Sequence, residues 1–135
     1  MIVDEQAISR HLVRQVAAMP QDTVLECVSP DEAMKAVGIF KPDCVVMGVS
    51  RPAPSAFQAI KSIRENYPQM RVVAVSTLHE HQLQQMANEA GASGYVTTEN
   101  LSELFLLAAP ERLTLKPARA GKPSRQKKSS AREGK

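Results

Sequence analysis

The sequence predicts an α/β fold, in which helices cover both faces of a parallel sheet. From residue 2 to about residue 113, short runs rich in β-branched residues alternate with segments whose apolar residues recur at helical spacing. The clearest run, Val72 to Val75, is apolar at every position. A strand buried on both faces has this composition, and such strands are typical of parallel sheets covered by helices.

Five short strands and five helices follow from this alternation. The strands are predicted at residues 2–3, 23–28, 43–47, 71–76 and 94–96. The helices are expected to end at Met19, near Phe40, before Pro68, at residue 90 before a Gly91 cap, and near residue 109. Their predicted inward residues are Ile8, Leu12, Val13, Val16 and Ala17 in the first, Phe57, Ile60 and Ile63 in the third, and Leu83, Met86, Ala87 and Ala90 in the fourth.

Helix two carries the clearest start signal. Ser29 is a candidate N-cap, Pro30 suits the first helical position, and Asp31 and Glu32 place negative charge at the positive end of the helix dipole. Helix five is predicted to begin at Leu101, after an Asn100 cap.

Length and composition exclude several classes of protein. A chain of 135 residues with 43% hydrophobic residues fits one ordinary domain. No apolar run approaches the ~18 residues of a membrane span, and the first residues lack the pattern of a signal peptide. A cytoplasmic protein with no membrane partner is therefore expected. Cys27 and Cys44 fall in predicted strands, which favours buried thiols over a disulfide or a metal pair.

The charge is divided sharply along the chain. Residues 114–135 contain eight Lys or Arg and one Glu, whereas residues 1–113 contain nine basic and thirteen acidic residues. The last segment has almost no apolar periodicity, which predicts a basic disordered tail after a domain that spans 1–113. Its basic residues include Lys116, Arg119, Lys122, Arg125, Lys127 and Lys128.

Four segments carry a resemblance to a known family. They are Val3-Asp4-Glu5, Pro42 to Pro52 with Gly48 inside, Val73 to Thr77, and Gly91-Ala92-Ser93-Gly94-Tyr95-Val96-Thr97-Thr98. In this order, they make residues 1 to about 108 resemble a response-regulator receiver domain (CheY-like), as found in regulators with a helix-turn-helix output. The resemblance implies a flavodoxin-like (βα)5 fold with strand order 2-1-3-4-5.

The chain departs from the family at two positions that carry chemistry. Gly48 stands where the resemblance implies the phosphoacceptor aspartate, and Thr98 stands where it implies a lysine. Ser76 matches the family's switch hydroxyl, although it could equally only end its strand and cap the next turn. The prediction is a degenerate phosphorylation site at Gly48, Ser76 and Thr98. Ser50 is a poor substitute acceptor because the local sequence supplies no base.

Asp4 and Glu5 resemble the acidic pair that holds a divalent metal in the family. A hard divalent ion takes several oxygen ligands, and the third carboxylate of the resemblance is missing. Asp4 and Glu5 are therefore expected to be an acidic remnant that is simply solvated, with no cofactor. The alternative is a weak site that binds residual Mg²⁺.

Together these features predict a module that is not an enzyme. It would act without phosphorylation, by binding a protein partner or a second copy. The expected contact surface is formed by helix four, strand five and helix five, with Tyr95, Leu101, Leu104 and Phe105. The alternative is a regulator associated with nucleic acid, in which the basic tail contacts phosphates without sequence specificity. A tail that only solubilises the protein is the simpler reading of the same charge.

Overall fold

The computed structural model describes residues 1–49, 54–78 and 80–108. Within these ranges, five parallel strands form one sheet with the order β2-β1-β3-β4-β5, which confirms the predicted fold and strand order. The strands are β1 (Ile2–Val3), β2 (Glu26–Cys27), β3 (Cys44–Gly48), β4 (Arg71–Ser76) and β5 (Gly94–Thr97). The helices are α1 (Ala7–Ala17), α2 (Pro30–Phe40), α3 (Pro54–Asn66), α4 (His81–Glu89) and α5 (Glu103–Ala108), with a 3₁₀ turn at Thr98–Asn100.

Alternation along the strands divides the core into two layers. Val72 and Ala74 pack with α2, α3 and α4 on one face of the sheet. Val73 and Val75 pack with α1 and α5 on the other. Because successive strand residues point to opposite faces, one continuous apolar run supplies both layers. Phe57, Ile60 and Ile63 of α3 are buried as predicted.

Strand β2 is shorter than the sequence suggests. Only Glu26 and Cys27 pair with the neighbouring strand, opposite Ile2 and Val3, although six residues from 23 to 28 were expected. A strand extends only as far as its partner offers backbone groups, and β1 has two residues. The length of β1 therefore limits β2.

Helix ends follow the local signals closely. Ser29 Oγ accepts a hydrogen bond from the Glu32 backbone N–H at 3.1 Å, and Glu32 Oε1 accepts one from the Val28 N–H at 2.8 Å. This arrangement matches the predicted N-cap of α2. Gly91 follows α4 with a φ of 99°, as expected of a helix-ending glycine.

Three predicted core residues are exposed instead. Ile8 and Leu12 of α1 are 75% and 45% exposed, since that helix buries only Val13 and Ala17. Met86 of α4 is 38% exposed. In both helices the buried pair is four residues apart, so the buried stripe is narrower than the apolar stripe of the sequence.

Helix α5 begins later than predicted. The chain first forms the 3₁₀ turn, and α5 starts at Glu103 rather than at Leu101. Leu104 is fully buried against the sheet layer that α1 also covers. Arg71 Nε donates a hydrogen bond to the Ala108 carbonyl at 3.3 Å, which holds the end of the helix against β4.

Candidate functional site

The predicted site residues meet at the carboxyl edge of the sheet. Val3 lies beside Met47 and Gly48 beside Val75 in the strand register, so the segments that follow β1, β3 and β4 leave the sheet together. They surround a cavity of about 440 Å³ whose lining includes Asp4, Glu5, Gly48, Ser76 and Thr98. Crevices at this edge are where ligands bind in open α/β folds. The structure therefore brings these residues together at one edge of the sheet.

The space beside Gly48 is occupied by Asp4. A Cβ atom placed on Gly48 would collide with Asp4 Oδ2, would lie 2.9 Å from Asp4 Cγ, and would lie 3.3 Å from the Val3 carbonyl oxygen. The Asp4 carboxylate is held there through its other oxygen, because Oδ1 accepts a hydrogen bond from the Gln6 N–H at 2.8 Å. Any side chain at position 48 thus requires Asp4 to move.

Two arginines of α1 lie close to this edge but are directed elsewhere. Arg10 donates to the Asp4 backbone carbonyl through Nη1 at 2.7 Å and to Glu26 through Nε at 2.9 Å. Arg14 Nη1 donates to the second oxygen of Glu26 at 2.9 Å. The hydrogen bonds that Arg10 and Arg14 donate to Glu26 lower the pKa of this carboxyl group. The guanidinium charges therefore compensate Glu26, not the Asp4 carboxylate.

Sequence reasoning missed this cluster. The available signal was the spacing of Arg10 and Arg14, which places both guanidinium groups on one face of a helix. Their acidic partner lies on β2, and only the parallel pairing of β1 and β2 brings it near.

Ser76 and Thr98 differ in their surroundings. Ser76 is 3% exposed, and its Oγ accepts a hydrogen bond from the Leu78 N–H at 3.1 Å. That bond caps the turn after β4, as the simpler reading of this serine expects. Thr98 is exposed at the start of the 3₁₀ turn. Ser50, Arg51 and Pro52 lie outside the described residues.

The donor groups at this edge fit a divalent metal poorly. Hard divalent cations take six or more oxygen ligands in proteins. The carboxylates lining the cavity are Asp4, already bonded to a backbone N–H, and Glu5, which is exposed. Within the described ranges, no group of three or more His, Cys, Asp or Glu side chains could hold a metal ion.

The second predicted site lies on the surface formed by α4, β5 and α5, called here the α4–β5–α5 surface. Tyr95 is half-buried, and its hydroxyl donates to the Leu78 carbonyl at 2.8 Å. Leu101 and Phe105 are also half-buried, whereas Leu104 is fully buried. The inclusion of Leu104 in a contact surface was therefore wrong, because its side chain serves the core.

A polar cavity on this surface was not predicted. It has a volume of about 290 Å³ and lies between α4 and the start of α5. The Thr97 side chain at its wall is 7% exposed, and its hydroxyl has no hydrogen-bond partner among the described residues. The remaining lining residues are Glu80, His81, Gln84, Tyr95, Asn100 and Glu103.

Cys27 and Cys44 are not joined in a disulfide, and Cys44 is half-buried rather than buried as predicted. Cys27 is buried, and burial raises the pKa of its thiol. Asp43 immediately precedes β3, so it lies at the opposite end of this strand from Gly48. In the part of the chain that the structure describes, no helix has the length and apolar character needed to cross a membrane.

Comparison with known proteins agrees with this architecture. Residues 1–107 match the family described as response regulator receiver domain. The chain belongs to this family. It is 29% identical over 99 residues to the response regulator GacA of Pseudomonas viridiflava, covering 72% of this chain and 46% of GacA. It is 24% identical over 97 residues to the chemotaxis protein CheY of Halobacterium salinarum, covering 72% and 81% of the two chains.

A solved receiver-containing structure gives the same result. The crystal structure of a two-component response regulator of the LuxR family from Aurantimonas sp. SI85-9A1 superposes with a TM-score of 0.69 at 31% identity, covering 84% of this chain and 81% of that one. This receiver domain spans about half the length of GacA. Receiver domains are signalling modules of two-component systems.

Proposed function

We propose that this receiver domain regulates a partner protein by direct binding and accepts no phosphoryl group. The observation that carries the proposal is that the Asp4 carboxylate lies directly against Gly48. Gly48 offers no nucleophile at the end of β3, and the Asp4 carboxylate occupies the space in which a side chain would begin.

Charge at the cavity supports the same proposal. Phosphoryl transfer to a carboxylate needs a nucleophile in line with the phosphorus and cations that neutralise the charge on the transferred group. Among the described residues that line the cavity there is no Lys or Arg, and Thr98 contributes only a hydroxyl. The nearby guanidinium groups of Arg10 and Arg14 are bound to Glu26. A bound phosphoryl group would therefore meet little positive charge there.

In this proposal the domain is a cytoplasmic binding module without enzymatic activity or resident metal, and its partner contacts the α4–β5–α5 surface. Tyr95, Leu101 and Phe105 are the half-buried residues there, and Leu106 is 39% exposed. Leu106 adds exposed apolar area on α5, which suits the mixed character of protein interfaces.

The test of the missing acceptor is a phosphorylation assay on the intact protein. Wild-type protein and the Thr98→Lys and Gly48→Asp variants are incubated with acetyl phosphate and Mg²⁺, and their intact masses are measured. We expect no added phosphoryl group on wild-type protein, and none on Thr98→Lys, because a cation without a nucleophile gives no reaction. Specific phosphorylation of the wild-type chain at any residue would overturn the proposal.

The test of the surface is a binding assay. Wild-type protein should capture the same partners from a lysate with and without acetyl phosphate, and Phe105→Ala should reduce that capture. Phe40→Ala is a matched control, because Phe40 is 58% exposed at the end of α2, outside the proposed surface. Equal loss in both variants would count against the α4–β5–α5 surface.

A second candidate function is nucleic-acid association through the basic tail. Eight Lys or Arg against one Glu in residues 114–135 support it, and this segment lies outside the described residues. Phosphate binding of this kind weakens steeply as salt increases. Removal of residues 114–135 should abolish salt-sensitive retention on DNA or RNA. Retention that survives the deletion would exclude the tail as the contact.

A further inference from the structure

The net negative charge of the domain comes from the segment that contains α4, β5 and α5. Residues 1–79 contain eight acidic and eight basic residues. Residues 80–108, which form α4, β5 and α5, contain no Lys or Arg and four glutamates: Glu80, Glu89, Glu99 and Glu103. The excess negative charge of the domain therefore belongs to the α4–β5–α5 surface. The excess positive charge of the chain belongs to residues 114–135.

One hydroxyl that lines the polar cavity on this surface has no hydrogen-bond partner among the described residues. Glu80 and Glu103 line this cavity, and Thr97 contributes the hydroxyl, which is buried. Buried hydroxyls in folded proteins are nearly always hydrogen-bonded. A cavity lined by this hydroxyl and by acidic side chains favours a ligand that brings N–H donors and positive charge.

The chain itself carries such a ligand within reach. Glu103 and Ala108 are the first and last of the six residues of α5 and lie about 8 Å apart along the helix. Lys116 follows Ala108 by eight residues, and eight extended residues span at most about 28 Å. Tethering to the same chain also raises the local concentration of the tail to roughly millimolar.

From this complementarity, we propose that the basic tail, residues 114–135, folds back and covers the α4–β5–α5 surface of its own chain. Its Lys and Arg side chains would contact Glu80 and Glu103, which line the polar cavity, and Glu99 of the 3₁₀ turn. The inference rests on the proposed function, since it gives that contact surface a built-in competitor. A partner must displace the tail, and by reciprocity a polyanion that binds the tail would free the surface.

Zero-length carbodiimide crosslinking of the full-length protein tests this proposal, because it joins carboxylates only to amines in direct contact. An equal mixture of unlabelled and isotope-labelled protein is crosslinked, digested and mapped by mass spectrometry. We expect tail lysines to couple to Glu99 and Glu103 within one copy, about fivefold more than to Asp31 and Glu65, which are exposed acids of α2 and α3. The yield should fall about threefold in 0.5 M salt, where exposed charges are screened.

A pair of variants provides the control. In Glu99→Gln/Glu103→Gln, crosslinks from the tail to Glu80 should also fall, because the tail loses its main contacts. The matched variant Asp31→Asn/Glu65→Gln removes two exposed acids elsewhere and should leave these crosslinks unchanged. Equal coupling to Asp31 and Glu65, or crosslinks found only between the two isotopic forms, would overturn the proposal; the latter would indicate a second copy as the source of the tail.

The two proposals fail separately. If tail crosslinks are absent while partner capture still depends on Phe105, the contact surface stands and its covering by the tail does not. If the crosslinks form but capture is unaffected by Phe105→Ala, the tail binds this surface and the partner binds elsewhere.

Discussion

Two regions of the sheet's carboxyl edge, one at the central strand β3 and one at the outer strand β5, differ in how their polar groups are hydrogen-bonded. Around Gly48, Asp4 is bonded to a backbone N–H and both arginines of α1 are paired with Glu26. Near β5, Thr97 has a buried hydroxyl without a partner among the described residues, and four glutamates lie in a segment with no basic residue. The polar groups of the first region are hydrogen-bonded within the chain, whereas the second region contains a buried hydroxyl without a partner among the described residues. In the proposed function, the partner contacts the region near β5.

The largest expected loss of stability distinguishes a core leucine of α5 from a surface leucine of the same helix. Leu104→Ala should lower the free energy of unfolding by about 3 kcal/mol, because Leu104 is fully buried and its truncation leaves a cavity. Leu106→Ala, two residues further on at a 39% exposed position, should cost less than about 1 kcal/mol. Urea denaturation measures both. Equal losses would mean that α5 presents a different face to the sheet.

A smaller effect tests whether Asp4 fills the space of the missing side chain. Gly48→Ala should destabilise the protein by about 1 kcal/mol, because the new methyl group displaces Asp4 from its hydrogen bond with Gln6. In an Asp4→Ala background the same change should be neutral or stabilising by up to about 1 kcal/mol, since alanine is favoured over glycine in a strand.

A double-mutant cycle from chemical denaturation gives the coupling between positions 4 and 48. An identical effect of Gly48→Ala in both backgrounds would show that Asp4 does not occupy this space in solution.

Tyr95→Phe sharpens the picture near β5. The change removes the hydrogen bond from Tyr95 to the Leu78 carbonyl and should cost about 1 kcal/mol of unfolding free energy. Tyr67→Phe is the control, because the Tyr67 hydroxyl makes no hydrogen bond among the described residues, and its change should stay within about 0.5 kcal/mol. Thermal denaturation of the two variants in parallel distinguishes them; a larger loss in Tyr67→Phe would contradict the assignment.

The smallest effect concerns the ion pairs of α1. The pKa of Glu26 lies below its ordinary 4.5, so the folded state favours the ionised carboxylate. The resulting contribution to folding stability is present above about pH 4.5 and is lost as the pH falls through the lowered pKa. Glu26→Gln should cost less than about 1 kcal/mol at neutral pH, because the pairs are exposed to solvent.

The difference between wild type and Glu26→Gln should shrink in strongly acidic solution, as followed by urea unfolding at several pH values. Glu65→Gln, at an exposed position of α3, is the matched control variant. A difference that persists at low pH would assign the effect of Glu26 to packing.

Local patterns predicted most elements well. Strand β4 was predicted to the residue, because every position from Arg71 to Ser76 fits a strand buried by two helical layers. The caps at Ser29 and Gly91 were also predicted, because a cap depends on a few neighbouring residues. Predictions failed where the outcome depends on distant neighbours. The extent of β2 depends on β1, and the exposure of Ile8 and Leu12 depends on how α1 packs beside α5.

The sequence by itself determined the α/β architecture and the absence of a side chain at Gly48, since both are written in residue types and their periodicity. Tertiary structure decided what occupies the space beside Gly48. Asp4 and Gly48 are far apart in sequence, and only the pairing of β1 with β3 brings the carboxylate into that space. Tertiary structure likewise buried Leu104 and left the Thr97 hydroxyl without a described partner, because burial and hydrogen bonding depend on which elements pack together.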